Sequence, residues 1–521
     1  MGIPVSIFND VIGPVMRGPS SSHCAAALRI GRIARDLMDG EIASVVVEFD
    51  VHGSLATTHA SQGSDMGLFG GLMGLDASDE KLVSSAEDIA AAGVDVDVKI
   101  CDFQDPHPNT YRLTLSNASE THSLTAVSTG GGMIEVINVD GTAVNMVGDY
   151  FETLVYASGD IAKLVDALKA EFENDIILTH DIADGKIVQV KSDRFISDEL
   201  AASIRSEFDV KYVKRLDPVL PVLSRKETKV PFSTYAQMLE YDAGADKSFW
   251  QLAVDYESCR GGITATQVMD KMIDIVKILR GSVAQGIAGT EYADRILGYQ
   301  CGEFKDKLQA GGLLEAGIMN KIVLYVTALM EAKSAMKVIV AAPTAGSCGA
   351  LPGACLAAAD SLGLGDEDAA KAMLAGGLIG VFIAQASTFA AEEAGCQAEC
   401  GSASGMAAAG LVTISGGTMK QAAAAASMAL QNSLGMVCDP VANRVEVPCL
   451  GKNVMAAVNG LSCANMAISG FDPVVWLDEV IDAMDRVGRS LPREVRCTAL
   501  GGLSITQTSK EIEERLKKDN R

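Results

Sequence analysis

The chain is poor in aromatic side chains, which make up 5 % of its residues and include two tryptophans, and it is poor in positive charge. Its 43 lysines and arginines stand against 67 aspartates and glutamates, for a formal net charge of −24. A surface this acidic is repelled by phosphate backbones and by anionic lipid, which argues against nucleic acid and membrane as partners. Histidine is scarce too, with six residues. No CxxC pair or histidine cluster accompanies the cysteines, which argues against structural zinc. No charged segment followed by a short apolar run marks a secretory leader. The twelve cysteines lack the spacing of a disulfide framework, so they are expected as thiols in a reducing, cytoplasmic compartment.

Small and apolar residues take their place. Hydrophobic residues reach 48 % and glycine 51 of 521 residues, enough for about three domains with real cores. Such small residues suit helices packed closely together. The uncharged run from Ala372 to Ala391 has about the length that spans a bilayer. It carries Gln385, Ser387 and Thr388, however, and a similar small-residue stretch follows from Gly401 to Met419. Both are expected as buried helices of a soluble bundle.

Periodicity divides the chain. Residues 1–149 read as α/β, with a helical pattern over Cys24–Leu37 and strands over Ala43–Val51, Val94–Ile100, Thr110–Leu115 and Met133–Val139. Glycine- and serine-rich segments separate them. Residues 150–216 carry the order βαββαβ, with Asp160 placed to cap the first helix and Asp184-Gly185 turning a hairpin. That order is the ferredoxin-like split βαβ unit and resembles an ACT-type regulatory domain, a spacer or dimerisation module being the plainer alternative. Residues 217–230, with Pro218 and Pro221, are expected as a linker, and 231–521 as a mostly α-helical catalytic domain.

Three segments in the helical part stand out. They are Pro343 to Gly349 (PTAGSCG), Gly395 to Glu399 (GCQAE) and Cys438 to Cys449 (CDPVANRVEVPC). Cys438 and Cys449 lie in proline-bounded stretches where a thiolate can turn toward a metal, whereas Cys355 or Cys463 reads as a packed helix residue. Any one of these thiols alone would pass for a core side chain. Three beside glycine or proline in one domain point to a cluster or zinc site.

Together with Gly18 to His23 (GPSSSH) and Gly53 to Leu55 (GSL), these segments resemble the iron–sulfur-dependent L-serine dehydratases, also called L-serine ammonia-lyases or deaminases. The resemblance covers nearly the whole chain, the N-terminal part being similar to the family's β portion and the helical part to its α portion. The family's three cluster cysteines are separated by forty-one and then ten intervening residues, and Cys396, Cys438 and Cys449 keep that spacing. The resemblance therefore implies a 4Fe–4S cluster on these three thiolates, with one iron left open to the β-hydroxyl of L-serine as a Lewis acid. It implies no pyridoxal phosphate, a small-molecule substrate and a homodimer. Cys348 is then a loop residue near the site and Cys400 incidental.

Substrate contacts are expected from Ser20, Ser21 and Ser22, with a helix N-cap as the plainer role for Ser22, and from Thr344, Ser347 and Asn453. The base is open between His23 and His59. Many relatives carry a histidine a few residues before the aspartate equivalent to Asp65, whereas this chain has Ser61-Gln62-Gly63-Ser64 there and His59 is the nearest. That departure leaves room for another β-hydroxy amino acid or hydroxy acid as substrate. An iron–sulfur or amino-acid sensor without turnover is a further alternative. Several relatives also end in a cysteine past a Gly-Gly-Leu segment. Here Cys497 precedes Gly501-Gly502-Leu503 and none follows, so no tail ligand is expected.

Overall fold

The β-branched run Ser44–Asp50 forms the strand its composition predicts. The computed structural model, which describes residues 3–18, 20–60, 62–292 and 295–519, places it in a six-stranded sheet. The order across that sheet is Asp95–Cys101, Ser44–Asp50, Thr110–Ser116, Thr121–Gly130, Met133–Val139, Thr142–Met146. The first pair is parallel and the others antiparallel. Thr121–Gly130 and Thr142–Met146 extend the sheet beyond the four expected strands. The alternation around Val94–Ile100 belongs to an edge strand: Val96 and Val98 pack on the core, while the charges of Asp95 and Asp97 blunt the open edge. Helix Ala26–Leu37 buries Ile30, Ile33 and Leu37 against Val45, Val47 and Phe49.

Phe151–Ser158, helix Ile161–Glu171, Ile176–Ile182, Gly185–Ser192, helix Asp198–Glu207 and Asp209–Leu216 follow in the expected order. Their strands form a second, antiparallel sheet in which the last strand and the third flank the first, and the second lies at the edge. Asp160 caps the first helix by accepting from the Lys163 N–H, and Ser197 caps the second through the Leu200 N–H. Both faces of this sheet are buried. Val155, Val188 and Val190 pack on Leu164, Leu168 and Ile204, while Leu154, Tyr156 and Ile187 join the core of the six-stranded sheet. Buried polar contacts reinforce that junction. Lys214 Nζ donates to Glu120 Oε1 and Asp39 Oδ2, each at 2.7 Å, and Tyr156 Oη donates to Asp140 Oδ2 at 2.6 Å. Residues 20–228 accordingly make one compact unit.

The stretch expected as a linker is packed on this unit. The N–H groups of Val219 and Leu220 both bond the Gly148 carbonyl at 2.9 Å, and Leu220 and Val222 are buried. Their apolar side chains hold down what the prolines keep extended.

The second unit comprises residues 229–519 together with 3–18. Val15–Arg17 pairs antiparallel with Val338–Val340, and the π-helical turn Ile7–Val11 is fastened by Glu257, which accepts from the Ile7 N–H at 2.8 Å and from Ser6 Oγ at 2.5 Å. Nearly everything else in this unit is helical. Asp366–Ala386 and Ser402–Ile414 pack with their backbones close. A Cβ on Gly376 would lie 2.8 Å from the Met406 carbonyl oxygen, and one on Gly410 at 2.8 Å from that of Ala372. Asp366–Ala386 is the helix among the described residues that is long and apolar enough to cross a membrane, and 78 % of its apolar window is buried within the protein. It is a core helix.

Candidate active site

Two constellations of chemically able side chains form, one in each unit. In the first unit, Ser21–Ala25 forms a π-helical turn ahead of helix Ala26–Leu37, so Ser22 lies inside the turn and does not cap the helix. Such turns are rare and concentrate at functional sites. This one points His23 inward, where Nδ1 bonds Ser20 Oγ at 2.8 Å and Nε2 bonds Thr58 Oγ1 at 3.1 Å. Burial lowers the His23 pKa to about 4, so the ring is neutral at neutral pH.

His59 follows Thr58 directly. Its Nδ1 lies 2.8 Å from both carboxylate oxygens of Asp65, and its ring sits 5.3 Å from that of Phe49. Among the described residues no group bonds its Nε2. The backbone of the turn supports this pairing, since the His59 carbonyl accepts from the Ser64 and Asp65 N–H groups. His59 thus reaches Asp65 across the intervening turn.

The second unit gathers sulfur. Cys396 immediately precedes the π-helical turn Gln397–Gly401, and Cys449 opens helix Cys449–Ile468. Gln397 ties this turn to helix Leu477–Ser490 and to the segment before Cys438, donating through Nε2 to the Met484 carbonyl at 2.7 Å and accepting from the Gly435 N–H at 2.8 Å. Cys396, Cys438 and Cys449 are all buried, and both Cys438 and Cys449 lie within electrostatic reach of Cys396. Burial pushes the Cys449 thiol up to about 12. Cys438 is raised further still, first by its hydrogen bond with the Cys497 thiol and then by burial. Lys333 and Lys452 bring positive charge to this region. Lys333 Nζ donates to the Val445 carbonyl, and Lys452 Nζ to the Val437 carbonyl at 2.6 Å and Asp439 at 2.9 Å.

The loop before this site is tied to it. Thr344 Oγ1 donates to Glu399 Oε1 at 2.6 Å, and burial pushes the Glu399 carboxyl up to about 7. Ser347 is fully buried and bonds back to Thr344, closing a short turn. Asn453 is fully buried as well. Its side chain accepts from the Gly349 N–H at 3.1 Å and donates to the carbonyls of Gly346 and Cys449 at 2.8 and 2.9 Å. These bonds lock the PTAGSCG loop to the last of the three cysteines. Cys348 is buried beside Lys333 and Glu399.

Two thiols to which the sequence gives no role lie against these cysteines. Cys400 hydrogen-bonds the Cys396 thiol from within the π turn and accepts from Asn453 Nδ2 at 3.6 Å. Its four-residue separation from Cys396 was the available signal. Cys497 lies against Cys438, with its N–H on the Cys438 carbonyl at 2.9 Å. Nothing in the sequence announces that contact across nearly sixty residues. The Gly-Gly-Leu segment explains part of it: the Leu503 N–H bonds Asp439 Oδ2 at 2.9 Å. Gly502 sits at φ +58°, where a Cβ would meet that carboxylate at 2.5 Å.

Comparison with known proteins agrees with this organisation. The family described as "Serine dehydratase beta chain" matches residues 11–138, and "Serine dehydratase alpha chain" matches 231–504. The "Probable L-serine dehydratase, alpha chain" of Bacillus subtilis is 36 % identical over 253 residues, covering 49 % of this chain and 84 % of the relative. The beta chain of the same organism is 35 % identical over 202 residues, covering 37 % and 90 %. The "L-serine dehydratase" of Streptomyces coelicolor is 27 % identical over 500 residues, covering 94 % and 96 %. The chain belongs to the serine dehydratase family, with the regions of its beta and alpha chains carried on one polypeptide.

Proposed function

We propose that the protein is an L-serine ammonia-lyase that converts L-serine to pyruvate and ammonia, with a 4Fe–4S cluster held by Cys396, Cys438 and Cys449. The observation that carries this reading is the gathering of three buried thiols, at the family's spacing, beside two lysine ammonium groups. Soft sulfur donors suit iron–sulfur ligation, and nearby ammonium groups offset the charge that three thiolates bring. When bound, the cluster supplies a Lewis-acidic iron for the β-hydroxyl leaving group.

The histidines divide the remaining work. His59 takes the α-proton at Nε2, because Asp65 fixes its Nδ1 as a donor and orients the ring, as a carboxylate does for a catalytic histidine elsewhere. His23 has both ring nitrogens engaged with hydroxyls and stays neutral, which suits it to hold Ser20 and Thr58 in place. The hydroxyls of Ser20, Ser21 and Ser22 then offer donors to the substrate carboxylate. Thr344, Ser347 and Asn453 shape the cysteine pocket, as their use in loop bonds supports. The unit at 150–216 is read as ACT-like and ferredoxin-like on the strength of its strand order and its two covering helices. Twelve free thiols support a reducing, cytoplasmic setting.

The test is an anaerobic assay of the cluster-reconstituted full chain against L-serine, D-serine, L-threonine and 3-hydroxypropionate, reading keto acid and ammonia together for the amino acids and acrylate for the hydroxy acid. Stoichiometric pyruvate and ammonia from L-serine, in preference to the others, is the expected result. Turnover of another member of the panel with none of L-serine would overturn the assignment.

A further inference from the structure

Cys438 and Cys497 belong to segments far apart in sequence that run side by side. The Cys438 N–H bonds the Val495 carbonyl at 2.8 Å, the Cys497 N–H bonds the Cys438 carbonyl at 2.9 Å, and residues 438 and 496 form a parallel bridge. Across this bridge the two thiols are hydrogen-bonded to each other. Cys438 is buried, whereas Cys497 is only half-buried and open to a small solute. Cys497 also holds φ at +58°, a conformation that side-chain-bearing residues seldom adopt and that the bridge and the bonds to the following Gly-Gly-Leu segment sustain. The other thiol contact at the site, Cys396 with Cys400, is different in kind. Those residues lie four apart along one helical turn, where Cβ atoms stand about 5–6 Å apart, beyond the roughly 3.5–4.5 Å a disulfide requires. The contact across adjacent segments is free of that constraint.

We propose that Cys438 and Cys497 are an oxidative modification site: in the iron-free chain, hydrogen peroxide converts them to a disulfide and so withdraws Cys438 from metal binding. The accessible Cys497 sulfur attacks one peroxide oxygen, the O–O bond breaks, and a sulfenic acid and one water result. The Cys438 sulfur then attacks that sulfur, the S–OH bond breaks, and the departing hydroxide takes the second proton to leave as water. Two thiols lose two protons and two electrons in all, and one peroxide becomes two waters. A dithiol reductant reverses the step by exchange. The disulfide stands on the thiol contact alone, while its consequence for iron rests on reading Cys438 as a cluster ligand.

The experiment treats the iron-free full chain anaerobically with one equivalent of hydrogen peroxide, then blocks remaining thiols and maps peptides by mass spectrometry. Two thiols should disappear, and a peptide crosslinked between Cys438 and Cys497 should account for them. Cys497→Ser and Cys497→Ala should each form no such crosslink, while Cys463→Ser behaves as the wild type. Iron uptake on reconstitution without reductant should then fall at least about tenfold in the oxidised wild type and recover after dithiothreitol. Absence of the Cys438–Cys497 peptide, or loss of two thiols in both Cys497 variants just as in the wild type, overturns the proposal. A quantitative crosslink with undiminished iron uptake upholds the disulfide and overturns the ligand role of Cys438.

Discussion

Asp65 faces the imidazole of His59 with both carboxylate oxygens, each 2.8 Å from Nδ1. A carboxylate so placed fixes the tautomer in which Nε2 is the free acceptor, and an amide in its place would fix the wrong one. Asp65→Asn should therefore lower kcat on L-serine by about 100-fold or more, and His59→Ala by about 100- to 10,000-fold, with iron content unchanged in both. Steady-state kinetics beside iron analysis decides it. A His59→Ala protein within tenfold of the wild type, set against a much slower His23→Ala, would pass the base role to His23.

His23 makes stability depend on acid. Its folded pKa is lowered by burial from 6.5 to about 4, so in that window the unfolded chain binds a proton that the folded ring refuses. The contribution is complete above pH 6.5 and is lost as pH falls toward 4, by on the order of 3 kcal/mol. His23→Gln should flatten this part of the melting-temperature profile. Identical slopes for variant and wild type between pH 4 and 6.5 would count against a neutral buried ring.

Among the thiols, the effects should separate by position. Cys396→Ser, Cys438→Ser and Cys449→Ser should each lose the brown chromophore and the bound iron, whereas Cys463→Ser, whose thiol meets Asn432 and Asn459, should keep both. Cys400→Ala should retain iron and lower the cluster's reduction potential, because it removes a hydrogen bond to the Cys396 sulfur. Iron analysis and potentiometric titration followed by electron paramagnetic resonance read these outcomes. A Cys438→Ser protein with full iron would break the ligand set.

Asn453 offers a test of scaffold against substrate contact. Replacing it with alanine strands the Gly349 N–H and the Gly346 carbonyl in the interior, at a cost of about 2–4 kcal/mol. The variant should melt earlier and load less iron, and its loaded fraction should keep the wild-type KM for L-serine. An unchanged melting temperature with a raised KM would make Asn453 a substrate contact.

What the sequence determined by itself is what short-range physics writes. The alternation at Val94–Ile100, the stripe Ile161, Leu164, Val165 and Leu168 with Asp160 before it, and the small-residue runs near 372 and 402 each announce their element within a dozen residues. Motif spacing marked Cys396, Cys438 and Cys449, and all three are buried, with Cys438 and Cys449 each within electrostatic reach of Cys396. Tertiary structure alone decided the rest. The N-terminal stretch reads like part of the neighbouring α/β region, yet it packs with the helices because Glu257, some 250 residues on, accepts the Ser6 and Ile7 donors. The π turns that carry His23 and Cys400 leave no pattern, since one extra residue in a turn alters no periodicity over so short a span. The approach of Cys497 to Cys438 leaves no trace in the sequence because it is set by long-range pairing of backbone N–H and carbonyl groups, and those groups are the same in every residue but proline.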